Sequence, residues 1–117
     1  MKLRLTDSGR SQSLRPKQKN DCTIRAITEV CQYPYDVVYG YMKLTGREVN
    51  HGVQIQKWFA EGHSKGLGFT VEKVAIPAIC IPLSFTAMFP SGKYLVITHR
   101  HINAVIDGVW IDSFSPG

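Results

Sequence analysis

Residues 101–112 read His-Ile-Asn-Ala-Val-Ile-Asp-Gly-Val-Trp-Ile-Asp, and this stretch decides the fold. On each side of Asp107-Gly108 every second residue is apolar, at 102, 104 and 106 and at 109 and 111, which is the pattern of two half-buried strands. An Asp-Gly pair between alternating strands is among the strongest short-range signals for a two-residue hairpin turn. The sequence therefore predicts a hairpin whose strands cover residues 99–106 and 109–114.

The two faces of this hairpin differ in chemistry, because successive side chains of a strand point to opposite sides. One face is apolar throughout and is expected in the core: Ile102, Ala104, Ile106, Val109 and Ile111. The other face displays His101, Asn103, Val105, Trp110 and Asp112. The two-residue turn sets His101 opposite Phe114, so that His101 and Asp112 are diagonal neighbours on one face.

Upstream of the hairpin, helices come first and strands later. Apolar residues at helical spacing predict a first helix that Asn20 or Asp21 caps, then helices over 35–44 and 52–61. Further strands are predicted over 69–76 and 93–98, with a brief helical turn over 84–88. Because the two types are segregated, we expect one α+β domain over residues 20–117, with N-terminal helices packed on a C-terminal antiparallel sheet.

The excess positive charge is concentrated at the start of the chain. The formal net charge is +5, and residues 1–19 contain six basic residues and a single acid, Asp7. We expect a basic N-terminal arm over residues 1–19, either solvated or docked on an acidic partner, in which Leu3-Arg4-Leu5 has the pattern of a short edge strand. No aromatic residue is interleaved with these charges, which argues against a single-stranded nucleic acid as the partner.

Composition also argues against several classes of protein. Of the 117 residues 44% are hydrophobic and 20% charged, which is ordinary for one globular domain. The polar, basic N-terminus does not have the pattern of a signal peptide. The longest apolar stretch, around residues 74–83, is too short and too rich in proline to span a membrane. We therefore expect a cytoplasmic protein that does not contact membranes.

Cys22 stands one or two residues inside the start of the first predicted helix. The partial positive charge at a helix N-terminus favours the thiolate, which is the nucleophilic form of cysteine, and Lys19 and Arg25 act in the same direction. A buried cysteine that acts as a small apolar residue is the alternative interpretation. Cys22 lies outside the apolar stripe of its helix, whereas Cys31 and Cys80 stand among apolar residues and are expected in the core.

A cysteine nucleophile needs a base and a group that orients the base. The hairpin supplies both, with His101 as the base and Asp112 as the orienting carboxylate. His99 shares the same face but lies two residues further from Asp112, so His101 is preferred. An oxyanion would be stabilised by the backbone N–H of Cys22 together with an upstream side-chain amide, and both Gln18 and Asn20 qualify.

Metal and cofactor sites are not indicated by the sequence. The chain has no Cys-x-x-Cys and no His-x-x-x-His spacing. Gly66-Leu67-Gly68 lacks the further glycines and the following helix of a dinucleotide-binding loop. We therefore expect no cofactor and no metal.

Two short segments resemble papain-fold cysteine peptidases. They are Asn20-Asp21-Cys22 at a helix start and the late hairpin that runs from His101 to Asp112. The pattern is most similar to small papain-like proteins of tailed bacteriophages and to peptidase domains of bacteriocin-processing transporters. The run from Cys22 to Ala26 also resembles ovarian-tumour-type deubiquitinases. In these families the oxyanion glutamine commonly lies further upstream, where this chain has Pro16 and Lys17, so Gln18 and Asn20 both stay open.

The resemblance implies thiol chemistry on an amide or isopeptide carbonyl of a protein or peptide substrate. By this comparison Cys22 is the nucleophile, His101 the base and Asp112 the orienting residue. It also implies a phage-encoded protein that acts in the host cytoplasm. Two alternatives remain: a thioester-based acyltransferase that uses an amine instead of water, and an idle papain-like scaffold that binds a host protein.

Overall fold

A computed structural model of the chain describes residues 2–48, 51–74, 82–98 and 101–113. The described strands and helices are β1 (Lys2–Thr6), α1 (Cys22–Cys31), α2 (Tyr35–Leu44), α3 (Ile55–Ala60), α4 (Pro82–Met88), β2 (Lys93–Thr98), β3 (His101–Ile106) and β4 (Val109–Ser113). Short 3-10 helices occupy Arg10–Gln12 and His63–Leu67. None of the helices in these ranges has the length and apolar character needed to cross a membrane.

The sheet has the strand order β1-β4-β3-β2. β2, β3 and β4 pair antiparallel, and Ala104 lies opposite Ile111 in the predicted register. Asp107 and Gly108 both have positive φ, at 49° and 76°. A two-residue turn with the twist of a hairpin requires this conformation, which Asp and Gly adopt more readily than other residues. The hairpin prediction is confirmed.

β1 turns the expected antiparallel sheet into a mixed one. It runs parallel to β4, with Leu3 beside Trp110 and Leu5 beside Asp112. Parallel neighbours need a long crossover between them, and here the helices and the other two strands lie between β1 and β4 in the chain. The α+β class is confirmed, and the C-terminal strands β2, β3 and β4 pair antiparallel as predicted. The sheet as a whole is mixed, because β1 joins it in parallel.

Within residues 2–19, β1 and the first 3-10 helix are joined to the rest of the described chain. β1 forms one edge of the sheet, in agreement with the strand pattern of Leu3-Arg4-Leu5. Arg4 forms an ion pair with Glu29 of α1, and Arg10 is buried. Arg10 is therefore part of the packed interior, and Arg4 links the segment to α1 at the surface.

The helices follow the predictions closely at first and less closely later. α1 begins one residue after Asp21, and α2 covers the predicted range. α3 begins at Ile55 rather than at residue 52, and residues 69–74 form no strand. The remainder of the predicted strand, residues 75 and 76, lies outside the described part. Phe69 packs on Phe59 of α3 with 6.3 Å between ring centroids, which ties this segment to the helices instead of to a sheet edge.

Both faces of the sheet are covered. α1 packs on the predicted apolar face, where the core includes Ile24, Ile27, Ile102, Ala104 and Ile111. On the opposite face α4 contributes Phe85, and a second cluster forms from Phe85, Val96, Val105 and Trp110. The expectation that Val105 and Trp110 are displayed is therefore wrong, because these two side chains are buried beneath α4.

A buried carboxylate joins the start of α1 to two other segments. Asp21 is 1% exposed. Its Oδ1 lies 3.3 Å from Arg10 Nη1 and 3.1 Å from Arg25 Nε, and its Oδ2 accepts a 2.7 Å hydrogen bond from the Tyr35 hydroxyl. Contrary to the sequence expectation, Asp21 does not cap α1 through its side chain. Its oxygens are used instead to compensate two buried guanidinium groups.

We expect Asp21→Asn to destabilise the fold by about 3–5 kcal/mol. The substitution keeps the size of the side chain but leaves Arg10 and Arg25 buried without the compensating charge. Urea unfolding at neutral pH, followed by circular dichroism, measures the change in the free energy of unfolding. Glu72→Gln is the matched control because it removes one negative charge at an exposed position. A loss below about 1 kcal/mol for Asp21→Asn would contradict the expectation.

Candidate active site

Cys22 is the first residue of α1 and is partly buried against the main core. Cys31 closes the same helix and also packs against that core, where its Sγ lies 2.9 Å from the carbonyl oxygen of Ile27. Burial raises the pKa of the Cys31 thiol, which lowers its reactivity. Cys80 lies outside the described residues. Of the two cysteines that the structure describes, Cys22 is the one at a helix N-terminus.

A cleft of about 730 Å³ opens beside Cys22. Its walls come from the first turn of α1, from residues 52–57, and from the end of the sheet where β2 meets β3. The lining residues include Asn20, Cys22, Thr23, Ile97, His101 and Ile102. Cys22 and His101, which are far apart in the sequence, therefore line the same cavity.

His101 is the first residue of β3 and is half-buried, with Thr98 of β2 as its backbone neighbour. Strand alternation assigns His101 to the face of Val105, whereas α1 packs on the face of Ile102. Both His101 and Ile102 nevertheless line the cleft, because the cleft lies at the end of the strand rather than over either face. His99 lies outside the described residues.

Asp112 belongs to β4, where its backbone neighbours Leu5 of β1. The described pairs of the hairpin end at Ala104 and Ile111, and the next pair in this register is Asn103 with Asp112. The side chain of Asp112 and residue Phe114 are not among the parts that the structure describes. Asn103 is buried, and its Nδ2 donates a 3.3 Å hydrogen bond to the Ile111 carbonyl.

The two candidate oxyanion residues occupy different environments. Gln18 is buried and does not line the cleft, and its Oε1 accepts a 3.0 Å hydrogen bond from Arg47 Nη2. Asn20 is exposed, lines the cleft, and has a left-handed backbone conformation with φ of 54°. In the loop of residues 18–21 that leads to Cys22, the Gln18 side chain is therefore part of the buried framework, and Asn20 lies at the surface.

Two arginines fix the loop that leads to Cys22. Arg47 Nη2 also donates to the Lys19 carbonyl at 3.0 Å, and Arg10 Nη1 donates to the Gln18 carbonyl at 3.1 Å. The Arg47 guanidinium lies over the ring of Tyr39, 5.6 Å from its centroid. Backbone carbonyls held by buried cations cannot shift without losing charge-assisted hydrogen bonds, so the geometry of residues 18–21 is set in advance.

Sequence reasoning missed several residues around the site. Arg10 and Arg47 hold the loop. Residues 52–57, which the sequence pattern places in a helix, contribute Gln54, Gln56 and Lys57 to the cleft. One signal was available for the loop: Arg25 follows Asp21 by four residues, which is the spacing of a helical ion pair. Nothing in the local sequence pattern indicates that Arg10 and Arg47 bind the carbonyl groups of this loop.

Comparisons with known proteins gave no relatives for this chain. A scan against models of protein families returned no match. Searches among curated proteins and among solved structures also returned no significant match. Within the described ranges, no three His, Cys, Asp or Glu side chains come together in a way that could hold a metal ion.

We expect Gln18→Ala to cost about 1–3 kcal/mol of stability, because it leaves the buried Arg47 short of an acceptor. Asn20→Gly removes the other candidate amide while keeping the positive φ accessible, and we expect a change below about 1 kcal/mol. Urea unfolding of both variants measures the contrast. Equal losses for the two variants would contradict the assignment of Gln18 to the scaffold.

Alkaline unfolding tests the bond between Tyr35 and Asp21. Burial, followed by the hydrogen bond to Asp21 and its negative charge, raises the pKa of Tyr35 far above the ordinary value of 10.0. The protonated hydroxyl therefore stabilises the fold fully below pH 10, and this contribution is lost as the pH rises further, by up to about 1.4 kcal/mol per pH unit. We expect Tyr35→Phe to show a flatter loss of stability above pH 10 than wild type. Tyr33→Phe, which removes an exposed hydroxyl, is expected to keep the wild-type slope.

Proposed function

We propose that this protein is a cysteine hydrolase of the papain-like type, which cleaves an amide or isopeptide bond through a thioester on Cys22. The observation that carries the proposal is the shared cleft: Cys22 at the start of α1 and His101 at the start of β3 line one cavity. A helix that presents a cysteine at its N-terminus and packs on a sheet with a histidine-bearing hairpin also supports a papain-like fold.

The proposed reaction begins with the Cys22 thiolate paired to a protonated His101. The sulfur attacks the substrate carbonyl carbon, and the carbonyl electron pair moves onto the oxygen. As the C–N bond breaks, His101 gives its proton to the leaving amine, and a thioester remains on Cys22. Neutral His101 then removes a proton from water, which hydrolyses the thioester and releases the carboxylate. Asp112 is proposed to hold the imidazole in the correct tautomer and orientation.

The tetrahedral oxyanion needs two donors in this scheme. The Cys22 backbone N–H at the helix start is the first, since N–H groups of the first turn have no partner inside the helix. We propose the Asn20 amide as the second donor, because Asn20 lines the cleft with Cys22. Gln18 would instead act on the position of the loop, through its bond to Arg47.

The source and compartment follow from the resemblance alone. We propose a phage-encoded protein that works in the cytoplasm of the host.

Alkylation of Cys22 tests the proposed ion pair with His101 directly. Iodoacetamide rates between about pH 5 and 9 are read out by peptide mass spectrometry, with Cys31 as the internal reference. We expect Cys22 in wild type to react at least about tenfold faster than Cys31 near pH 6.5, since a paired thiolate persists where an ordinary thiol is protonated. His101→Ala should remove most of this advantage, and Asp112→Asn a part of it.

His51→Ala is the matched control, because His51 is exposed and does not line the cleft. It should leave the Cys22 profile unchanged. Thermal unfolding of each variant separates a lost ion pair from a lost fold. A Cys22 that reacts like a free surface thiol and does not respond to His101→Ala would overturn the proposal and favour a binding protein without turnover.

A further inference from the structure

The cleft beside Cys22 is free of negative charge over its described lining. None of the twelve described lining residues is Asp or Glu. Its basic side chains are those of His101 and Lys57. In a chain with a net charge of +5, Lys57 adds a formal positive charge to a lining that has no described carboxylate, and such a charge attracts anionic groups.

The backbone of Lys57 is held in a defined position beside the cleft. It belongs to α3, whose neighbouring residues Ile55 and Trp58 are buried in the main core. Trp58 Nε1 donates a 2.9 Å hydrogen bond to Thr45 Oγ1, which fixes the helix further. Lys57 itself is exposed, and it forms no ion pair with any carboxylate in the described ranges. Its charge is therefore available to a ligand.

The remaining lining groups suit an extended peptide. Gln54 and Gln56 carry amides, each with a donor and an acceptor for the backbone of a bound chain. Ile97 is 40% exposed on an edge strand, where it forms an apolar part of the wall. A phosphodiester backbone would require several cations along its path, whereas a single carboxylate is matched by one lysine.

We propose that the cleft selects peptides with an acidic side chain next to the scissile carbonyl, and that Lys57 is the residue that determines this specificity. The proposal rests on the proposed function for the cleavage step. The attraction between Lys57 and a carboxylate in the cleft does not depend on catalysis. Lys57 would act through charge at the rim, without contacting the atoms that react.

The test compares two small reagents that alkylate the same sulfur, iodoacetate with a carboxylate and iodoacetamide without charge. At Cys22 the rate with iodoacetate is divided by the rate with iodoacetamide. This ratio is then divided by the same ratio for free cysteine in the same buffer, and the result measures the electrostatic potential at the sulfur. We expect this normalised ratio to fall about threefold in Lys57→Gln and about tenfold in Lys57→Glu at low salt, with the iodoacetamide rate nearly unchanged. About 0.5 M salt should weaken the effect.

Lys65→Gln is the matched control, since Lys65 is an exposed lysine that does not line the cleft. It removes the same charge from the whole protein and should leave the ratio unchanged. A ratio that does not respond to Lys57→Glu, or that responds equally to Lys65→Gln, would overturn the proposal. If iodoacetamide alkylates Cys22 slowly but the ratio still depends on Lys57, the proposed hydrolase activity would be contradicted and the preference for anions supported.

A second pair of probes extends the test from a small anion to a peptide. Vinyl sulfone peptides that carry Glu or Gln beside the reactive group are compared on wild type and on Lys57→Glu. We expect wild type to react several-fold faster with the Glu peptide and Lys57→Glu to reverse this preference. Equal rates for both peptides on wild type would contradict selection of an acidic side chain.

Discussion

The contact on which the rest of the site depends is the buried carboxylate of Asp21 between Arg10 and Arg25. A carboxylate that is 1% exposed has lost its hydration, so it is stable only with opposite charges and hydrogen-bond donors around it. Its partners come from the N-terminal 3-10 helix, from α1 and, through Tyr35, from α2. The Asp21 side chain thereby joins three segments, and Asp21 itself immediately precedes Cys22, the residue proposed as nucleophile.

This arrangement explains why an unusually basic N-terminal segment belongs to the domain. Arg10 supplies charge to Asp21 and a donor to the Gln18 carbonyl, while Arg47 holds Gln18 and the Lys19 carbonyl from the other side. β1 then brings the same segment to the edge of the sheet beside β4. The loop before Cys22 is thus fixed from several directions, which its proposed role in positioning a sulfur and an oxyanion donor would require.

The candidate site combines this fixed loop with groups at the end of the sheet. Cys22 comes from the start of α1, His101 from the start of β3, and Lys57 from a helix that its buried neighbours hold in place. The proposed chemistry and the proposed preference for acidic peptides use different atoms of the cleft. Reactivity depends on the sulfur and the imidazole, and selection on a charge at the rim.

The sequence by itself determined the local elements of this protein. The hairpin, β2, α1 and α2 were predictable because Asp-Gly turn geometry, period-two alternation and helical spacing act over a few residues. Cys22 and His101 were identifiable as candidates for the same reason. Only the tertiary structure decided the parallel pairing of β1, the burial of Arg10, the cover of α4 over Val105, and the contribution of residues 52–57 to the cleft. These features depend on contacts between residues distant in the chain, and no local pattern encodes which distant partner satisfies a buried charge or an unpaired strand edge.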